Sequence, residues 1–268
     1  MVGQIKLLQT IDKYVSSKTF PRTLLLEGPW GCGKHTLVKE LSDRLSIDVE
    51  DITDSLTLET LDNITISTSP KIYLIDSSNI SVREQNIILK FLEEPLKNSY
   101  IILLCEAKNK LIPTVLNRCV CLIFESYTKE ELRSFVTEKI SEDILSLAHT
   151  PGMVIKIQSS PVESMMSLAT QIFQKLKVAS YSNILTIPNK LYYKQPEENL
   201  LEFDLFAYVL LNVACKLYNA GKITYNEYIY TNRFYNACAI PNINKQQLFE
   251  HYIVSLKRFY EGEPFDEI

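Results

Sequence analysis

The residues of this chain that are best suited to chemistry lie in the segment 27-EGPWGCGKHTL-37. Within it Gly28, Gly33 and Lys34 fill the pattern G-x-x-x-x-G-K-[ST], a loop whose backbone N–H groups cradle phosphates at the start of a helix. Glycine permits the tight backbone turns of such a loop, and the lysine reaches the terminal phosphates. At the last position of the pattern the chain has His35 in place of a hydroxyl residue. The segment therefore predicts phosphate binding with one ligand changed.

This change affects the metal ion rather than the phosphates. The missing hydroxyl normally ligates Mg²⁺, a hard cation that prefers oxygen, and the imidazole nitrogen of His35 is a softer ligand. Thr36 supplies a hydroxyl one position late, but one helical step turns a side chain by about 100°. We therefore do not count Thr36 as a magnesium ligand, and we expect no well-held Mg²⁺. Both residues remain candidates for nucleotide binding, together with Gly31, which adds backbone freedom to the loop.

A second candidate position is Asp76, which ends the apolar run 71-KIYLID-76. It stands where a P-loop ATPase has the aspartate of its magnesium shell, and in an AAA+ ATPase the next residue is usually a glutamate that activates water. Ser77 occupies that place, and a hydroxyl is no general base near neutral pH. Three interpretations remain open: a glycine-rich turn without a ligand, binding of ATP or ADP with little or no turnover, and competent hydrolysis. The two changes together favour binding without turnover.

Alternating strands and helices must position the loop and the aspartate. Continuous apolar runs predict strands at 22–28, 71–76, 100–106 and 119–125, and the polar segment 46–70 contains one further predicted strand near 47–52. Apolar residues at helical spacing predict helices at 4–15, 35–45, 57–64 and 81–95, and a short helix or turn at 110–119. Strands that alternate with helices predict an α/β fold whose parallel sheet is covered on both faces.

Beyond Glu125 the strand pattern gives way to helical periods. These predict helices at 128–140, 142–148, 164–180, 199–221, 224–239 and 245–262, with a helix start or turn at 150-TPG-152. We therefore predict three domains: a P-loop core at 1–125, a small helical lid at 126–160 and an all-helical C-terminal domain at 161–268.

The composition disfavours several classes of protein. A formal charge of -4 disfavours a dedicated nucleic-acid binder, whose domains usually carry a basic face. The six cysteines include no C-x-x-C pair, so we expect reduced, buried thiols and no zinc site. The N-terminus shows no signal pattern, and no run reaches the ~18 apolar residues of a membrane span. We therefore expect a soluble, cytoplasmic protein without a membrane partner.

Two further motifs resemble those of a known family. The segment 85-QNIILKFLEEP-95 resembles the helix Q-N-A-L-L-K-x-L-E-E-P, and 111-LIPTVLNRC-119 is similar to L-x-P-T-I-x-S-R-C. Both belong to the clamp-loader subunits of bacterial DNA polymerase III, AAA+ proteins that open the sliding clamp and place it on primed DNA. The resemblance is strongest over residues 2–125. It implies an AAA+ core, a helical lid and a C-terminal collar that packs subunits into an open ring.

The resemblance also assigns a role to Arg118. The family's S-R-C arginine reaches into the nucleotide site of the neighbouring subunit, and Arg118 matches it, with Asn117 in place of the serine. A guanidinium suits this arginine-finger role because it is always charged and can bridge phosphate oxygens. The residues alone also allow an arginine paired with a carboxylate at the edge of the core. The implied partners are motor ATPase and delta-type subunits in a hetero-pentameric ring, the sliding clamp and, through the assembly, primed DNA at the replisome.

The departures from the family pattern indicate the type of subunit. Ser77 replaces the catalytic glutamate, and Met153 stands where the lid arginine is expected. The polar residue that the family has on the strand at 100–106 has no clean match, with Cys105 and Glu106 the nearest. A chain that has lost the magnesium hydroxyl, the catalytic glutamate and the lid arginine but has kept the interface arginine resembles the family's delta-prime subunit, a stator that completes a neighbour's active site. The alternative is a divergent motor ATPase of the tau/gamma type that tolerates His35.

The tyrosines of the C-terminal helices have two interpretations. They are interface anchors, being large side chains with a polar tip, or they are core and half-exposed positions of a helical bundle. The residues in question are Tyr225, Tyr228, Tyr230, Tyr235, Tyr252 and Tyr260.

Overall fold

The computed structural model describes residues 2–60, 64, 69–78, 80–93, 99–178, 180–184, 199–240 and 242–266. Its contacts divide the chain into two compact units. The first comprises residues 1–137 and 148–155, and the second comprises residues 138–147 and 156–268. The three-domain division expected from the sequence stays a prediction.

The first unit is built on a parallel sheet. Its strands are β1 (Thr23–Glu27), β2 (Asp48–Asp51), β3 (Lys71–Asp76), β4 (Tyr100–Cys105) and β5 (Val120–Ile123). They are hydrogen-bonded in the order β2-β3-β4-β1-β5, and every neighbouring pair is parallel. The α/β class with a parallel sheet is therefore confirmed. Strand β1 lies between β4 and β5 although it precedes both in the chain, which is a feature that the apolar pattern does not encode.

Helices cover both faces of the sheet, as its continuous apolar strands require. They are α1 (Ile5–Ser16), α2 (Lys34–Leu45), α3 (Val82–Glu93) and α4 (Pro113–Leu116). Alternate residues of β1 enter opposite cores: Leu25 packs in the cluster that includes α3 and α4, whereas Leu24 and Leu26 pack in the cluster that includes α1 and α2. Each of these leucines is fully buried and contributes about 1.5–3 kcal/mol. This double layer fixes the strand ends that carry the site.

The helix predicted at 128–140 is shorter in the structure, where α5 spans Lys129–Arg133. It begins as expected at Thr128, whose side chain forms a capping box with Glu131. Beyond Arg133 the backbone follows i→i−3 bonds, with the Phe135 N–H donating to the Leu132 carbonyl at 3.1 Å, and the Ser134 hydroxyl donates to the Glu131 carbonyl at 2.6 Å. Such local side-chain bonds offer the backbone an alternative to the next helical turn.

Several predictions fall partly outside the described residues. They concern residues 61–63 of the helix predicted at 57–64, residue 179 of the helix predicted at 164–180, and residues 94 and 95, which end the segment 85–95 with its proline stop.

The second unit is helical in the part of the chain that the structure describes. Its helices are α6 (Glu142–Leu145), α8 (Val162–Lys175), α9 (Tyr181–Ile184), α10 (Asn199–Asn219), α11 (Tyr225–Ala237) and α12 (Lys245–Tyr260). Between α6 and α8 in the chain, α7 (Pro151–Gln158) begins in the first unit and ends in the second. None of the described helices is both long and apolar enough to cross a membrane.

Stacked aromatic rings form the centre of the second unit. The ring of Tyr252 lies 4.5 Å from that of Phe234 and 5.6 Å from that of Tyr230, measured between centroids. Tyr230 and Tyr252 are 1% and 0% exposed, so these two tyrosines are core residues. Tyr225, at the start of α11, is 58% exposed and remains a candidate for an interface. The sequence pattern alone does not separate the two groups.

Candidate functional site

The glycine loop connects the carboxyl end of β1 to the start of α2. Gly28 donates its N–H to the Cys105 carbonyl at 3.1 Å, which extends the β1–β4 ladder by one residue. A Cβ at Gly28 would lie 2.8 Å from both Cys32 Sγ and Phe124 Cβ, so only glycine fits there. Gly31 and Gly33 have φ values of +73° and +104°, a region that side chains other than glycine rarely adopt. The loop thus uses these three glycines for the geometry predicted from the pattern.

Lys34 is the first residue of α2 and is only 8% exposed. Its ammonium group donates to the carbonyl of Gly28 and to that of Pro29, the latter at 3.1 Å. A buried cation requires such acceptors, because the loss of hydration is costly without them. The lysine is therefore held against the loop, beside the N–H groups that begin the helix.

His35 and Asp76 face each other across the site. His35 Nε2 lies 3.9 Å from Asp76 Oδ2, and the two side chains are 62% and 37% exposed. The aspartate is oriented by its own neighbours: the Ser78 N–H donates to Oδ1 at 3.0 Å, and the Asp76 N–H donates to Thr53 Oγ1 at 2.8 Å. Because Oδ1 is occupied in this way, Oδ2 is the oxygen turned towards the imidazole.

Ser77 does not face the site. It is 2% exposed, and its hydroxyl donates to the Leu104 carbonyl at 2.5 Å, alongside the Ser77 N–H at 2.8 Å. The side chain therefore serves the β3–β4 junction and has no route to a water molecule in the cleft. Serine at this position is not only a poor base but is also pointed away.

A cavity of about 380 Å³ opens at this edge of the sheet. Six of the predicted residues line it: Gly31, Gly33, Lys34, His35, Thr36 and Asp76. Further lining residues are Trp30, Ser78, Glu106, Phe135, Pro151, Gly152 and Ile155. All of them belong to the first unit. The structure thus gathers the loop, the end of β3 and the end of β4 around one space, as expected where strand order reverses in an open parallel sheet.

Glu106 also lines the cavity, although from the sequence it is only the nearest match to an expected polar residue and is not among the predicted site residues. It directly follows β4, as Ser77 follows β3, and it accepts from Lys110 Nζ at 3.1 Å. Its place after a buried apolar run was a signal that could have identified it. Phe135 and Ile155 offered no such signal, because their segments carry no strand or loop motif that points to a ligand.

Gly152 makes the closest backbone approach to the loop. Its N–H donates to the Gly31 carbonyl at 2.9 Å, and a Cβ at Gly152 would lie 2.6 Å from Gly31 Cα. Thr150, two residues earlier, is 4% exposed, and its hydroxyl accepts from the Met153 N–H at 3.2 Å, which caps α7. The start of α7 is thus hydrogen-bonded to the glycine loop through its main chain.

Two buried thiols lie beneath the loop. Burial raises the pKa of Cys105 to about 12 and also raises the pKa of Cys32. Both are therefore neutral at physiological pH and act as small apolar side chains.

Arg118 lies at the opposite edge of the sheet. Its carbonyl accepts from Thr23 Oγ1 at 2.6 Å, at the amino end of β1, whereas the loop follows the carboxyl end. Because β1 has five residues, the two ends are about 16 Å apart. The guanidinium donates to Glu93 Oε1 at 2.6 Å and to the Thr114 carbonyl at 2.9 Å. The structure therefore does not bring Arg118 together with the other predicted site residues.

Comparisons with known proteins agree with this architecture. A family model described as DNA polymerase III, delta subunit, matches residues 42–128. Over 197 residues the chain is 24% identical to replication factor C subunit 5 of Mus musculus, a match that covers 67% of this chain and 57% of that protein. The chain thus spans little more than half the length of this curated relative.

Two solved structures from Thermotoga maritima share the fold. A DNA polymerase III gamma subunit-related protein is 14% identical, with a TM-score of 0.55 over 95% of this chain and 99% of that chain. The RuvB Holliday junction branch migration motor is 18% identical, with a TM-score of 0.51 over 81% of this chain and 78% of that chain. At these identities the two structures support the fold alone. The chain is thus similar to the delta subunit of DNA polymerase III over residues 42–128 and to replication factor C subunit 5 over 197 residues, and it shares the fold of the two solved structures.

Proposed function

We propose that the chain is a delta-prime-like stator of a replicative clamp loader. It assembles with motor ATPase subunits and a delta-type subunit in a hetero-pentameric ring. It supplies Arg118 to a neighbour's nucleotide site, so that the sliding clamp is loaded on primed DNA. Its own cavity holds ATP or ADP with little or no hydrolysis.

The position of Arg118 carries the proposal. About 16 Å of strand separates it from the chain's own loop, so it can complete only the site of another subunit. An arginine at one edge of the sheet and a nucleotide cavity at the other suit head-to-tail association of subunits. Such association forms a ring when the rotation between subunits closes. The pairing of Arg118 with Glu93 is no obstacle, because exposed ion pairs contribute about 0–1 kcal/mol.

Nucleotide binding without turnover is supported by the groups in the cavity that favour phosphates and by the lack of a proton acceptor directly after Asp76. The N–H groups at the start of α2, together with Lys34, favour phosphates. The residue after Asp76 offers no proton acceptor, because the Ser77 hydroxyl is buried and engaged by Leu104. The nucleotide is then a structural ligand of the subunit.

Glu106 favours a second candidate function. Its carboxylate lines the same cavity as Lys34, and a carboxylate can accept a proton from an attacking water. A divergent motor ATPase that uses Glu106 as its base would hydrolyse ATP itself. Such a chain would turn over ATP in isolation, and Glu106→Gln would abolish the turnover.

The test is to purify the tagged chain from its native host and weigh the intact assembly by native mass spectrometry. One copy beside a distinct P-loop ATPase is expected. Arg118→Ala should then lower ATP turnover at the completed site by about 10³-fold, and Arg118→Lys should not restore it, because lysine lacks the planar fork.

The control is Arg83→Ala, which removes another exposed arginine of the first unit and should leave turnover unchanged. Several copies of the chain without another ATPase, or ATP turnover by the isolated chain that Glu106→Gln abolishes, would establish the motor function instead.

A further inference from the structure

The donor atoms of the cavity do not suit the ion that the AAA+ fold implies. Mg²⁺ prefers an octahedron of oxygen ligands, and the residue at its usual hydroxyl position is His35. Imidazole nitrogen is instead a ligand of divalent transition metals, whereas carboxylate suits Mg²⁺ and Mn²⁺ alike, so Mn²⁺ is the transition-metal ion that also matches Asp76. The residues present therefore fit Mg²⁺ poorly.

His35 and Asp76 lie close to the separation of a ligand pair. They come from the start of α2 and the end of β3, and both line the cavity. Two adjacent ligands that each lie about 2.1 Å from an octahedral ion are about 3.0 Å apart, so the 3.9 Å between Nε2 and Oδ2 would shorten by about 0.9 Å, which the exposed His35 side chain allows. The hydrogen bond from the Ser78 N–H fixes the carboxylate, the kind of support that orients ligands in metal sites.

Two side chains do not bind such an ion tightly by themselves. Among the residues that the structure describes, no three His, Cys, Asp or Glu side chains are gathered so that they could hold a metal ion. The remaining ligands must come from water and from the phosphate oxygens of a nucleotide seated on the loop. Binding of the ion should therefore depend on the nucleotide.

We propose that His35 Nε2 and Asp76 Oδ2 are the protein ligands of a divalent transition-metal ion of the Mn²⁺ type, bound only together with a nucleoside diphosphate or triphosphate. The proposal rests on the nucleotide binding put forward above. Under this proposal His35 determines which metal ion binds, besides replacing the hydroxyl residue of the loop pattern.

The experiment uses the full chain with ADP. Calorimetry gives the ADP affinity in EDTA, in Mg²⁺ and in Mn²⁺, and electron–nuclear double resonance of Mn²⁺ detects a bound imidazole nitrogen. We expect ADP to bind at least tenfold more tightly with Mn²⁺ than with Mg²⁺. The ¹⁴N coupling should be present with ADP and absent without it.

Two variants make the test specific. His35→Thr should abolish the ¹⁴N coupling and remove the preference for Mn²⁺, and it should fold because the side chain is 62% exposed. His251→Thr is the matched control, since His251 Nε2 also lies 3.9 Å from an aspartate, Asp266, but is outside the cavity. It should leave both observations unchanged.

The outcomes separate this proposal from the function on which it rests. If ADP binds in EDTA but shows equal affinities with the two metals, or no ¹⁴N coupling, the metal proposal is wrong and nucleotide binding stands. If Mn²⁺ shows the coupling without ADP, its dependence on nucleotide is wrong. If ADP does not bind under any of the three conditions, both proposals fail.

Discussion

At the scale of single residues, Lys34 is the cation whose surroundings are most specialised. It is buried, it begins a helix, and its acceptors are two carbonyls of the loop itself. Phosphate oxygens would be stronger acceptors than these carbonyls, because hydrogen bonds between charged groups are the stronger ones. If phosphate binds as proposed, Lys34 exchanges these two carbonyls for phosphate oxygens.

Lys34→Ala should weaken ADP binding about thirtyfold, which corresponds to the loss of about 2 kcal/mol from one hydrogen bond between charged groups. The fluorescence of Trp30, which is the one tryptophan of the chain and lines the cavity, provides the measurement alongside calorimetry. Lys39→Ala, at an exposed position of the same helix, is the control and should keep full affinity. Equal affinities for the two variants would contradict a phosphate role for Lys34.

At the scale of elements, the loop and the start of α7 are joined main chain to main chain. The N–H of Gly152 meets the carbonyl of Gly31, and neither glycine leaves room for a Cβ. Because the two backbones are in contact, the conformation of the loop depends on the position in space of the first residues of α7. Trp30 and Ile155, from the two elements, both line the cavity, so its width depends on the same contact.

Gly152→Ala should separate the two elements. Alanine normally stabilises a helix relative to glycine, but here its Cβ would meet Gly31 Cα at 2.6 Å. We expect the free energy of unfolding to fall by about 1–3 kcal/mol, as in other overpacked sites, and ADP affinity to fall with it. Urea unfolding and calorimetry measure the two effects.

Gly221→Ala is the comparison for this experiment. Gly221 has a φ of +68° and open space around its Cβ position, so alanine should cost only the backbone term of about 1 kcal/mol. ADP affinity should not change. If the free energy of unfolding of Gly152→Ala is higher than that of the parent chain, the close contact between Gly152 and Gly31 does not destabilise the variant and this prediction is wrong.

At the scale of the whole molecule, stability should depend on pH through the buried phenols of the second unit. Burial raises the pKa of Tyr230 to about 12, and it also raises the pKa of Tyr252 and Tyr260. In the unfolded chain a tyrosine titrates near pH ~10. The native state therefore holds these phenolic protons more tightly than the unfolded chain does. The resulting stabilisation is complete below pH ~10 and is lost as the pH rises further.

We therefore expect the free energy of unfolding to fall between about pH 10 and 12, by up to about 1.4 kcal/mol per pH unit for each such tyrosine. Urea unfolding followed by circular dichroism at pH 8, 10 and 11 gives the slope. Tyr230→Phe should reduce this slope, whereas Tyr225→Phe, at an exposed position, should not. Equal slopes for the two variants would mean that Tyr230 does not contribute to the pH dependence.

Local patterns of the sequence determined the parts of the protein that depend on neighbours in the chain. The apolar runs located β1, β3 and β4, because a strand buried on both faces must be apolar throughout. The glycine pattern located the loop, because its positive φ values at Gly31 and Gly33 demand glycine. The motif around Arg118 placed that residue just before a strand, where the structure has it.

The tertiary structure alone decided which of these parts meet. Since β1 inserts between β4 and β5, the ends of β1, β3 and β4 share one edge of the sheet, and no periodicity along the chain encodes that order. The tertiary structure places His35 3.9 Å from Asp76 and brings Glu106 and Gly152 to the cavity. It also turns the Ser77 hydroxyl into the sheet. The physical reason is that hydrophobic burial is non-directional: it dictates which residues lie inside, whereas chain connections and backbone hydrogen bonds choose their neighbours.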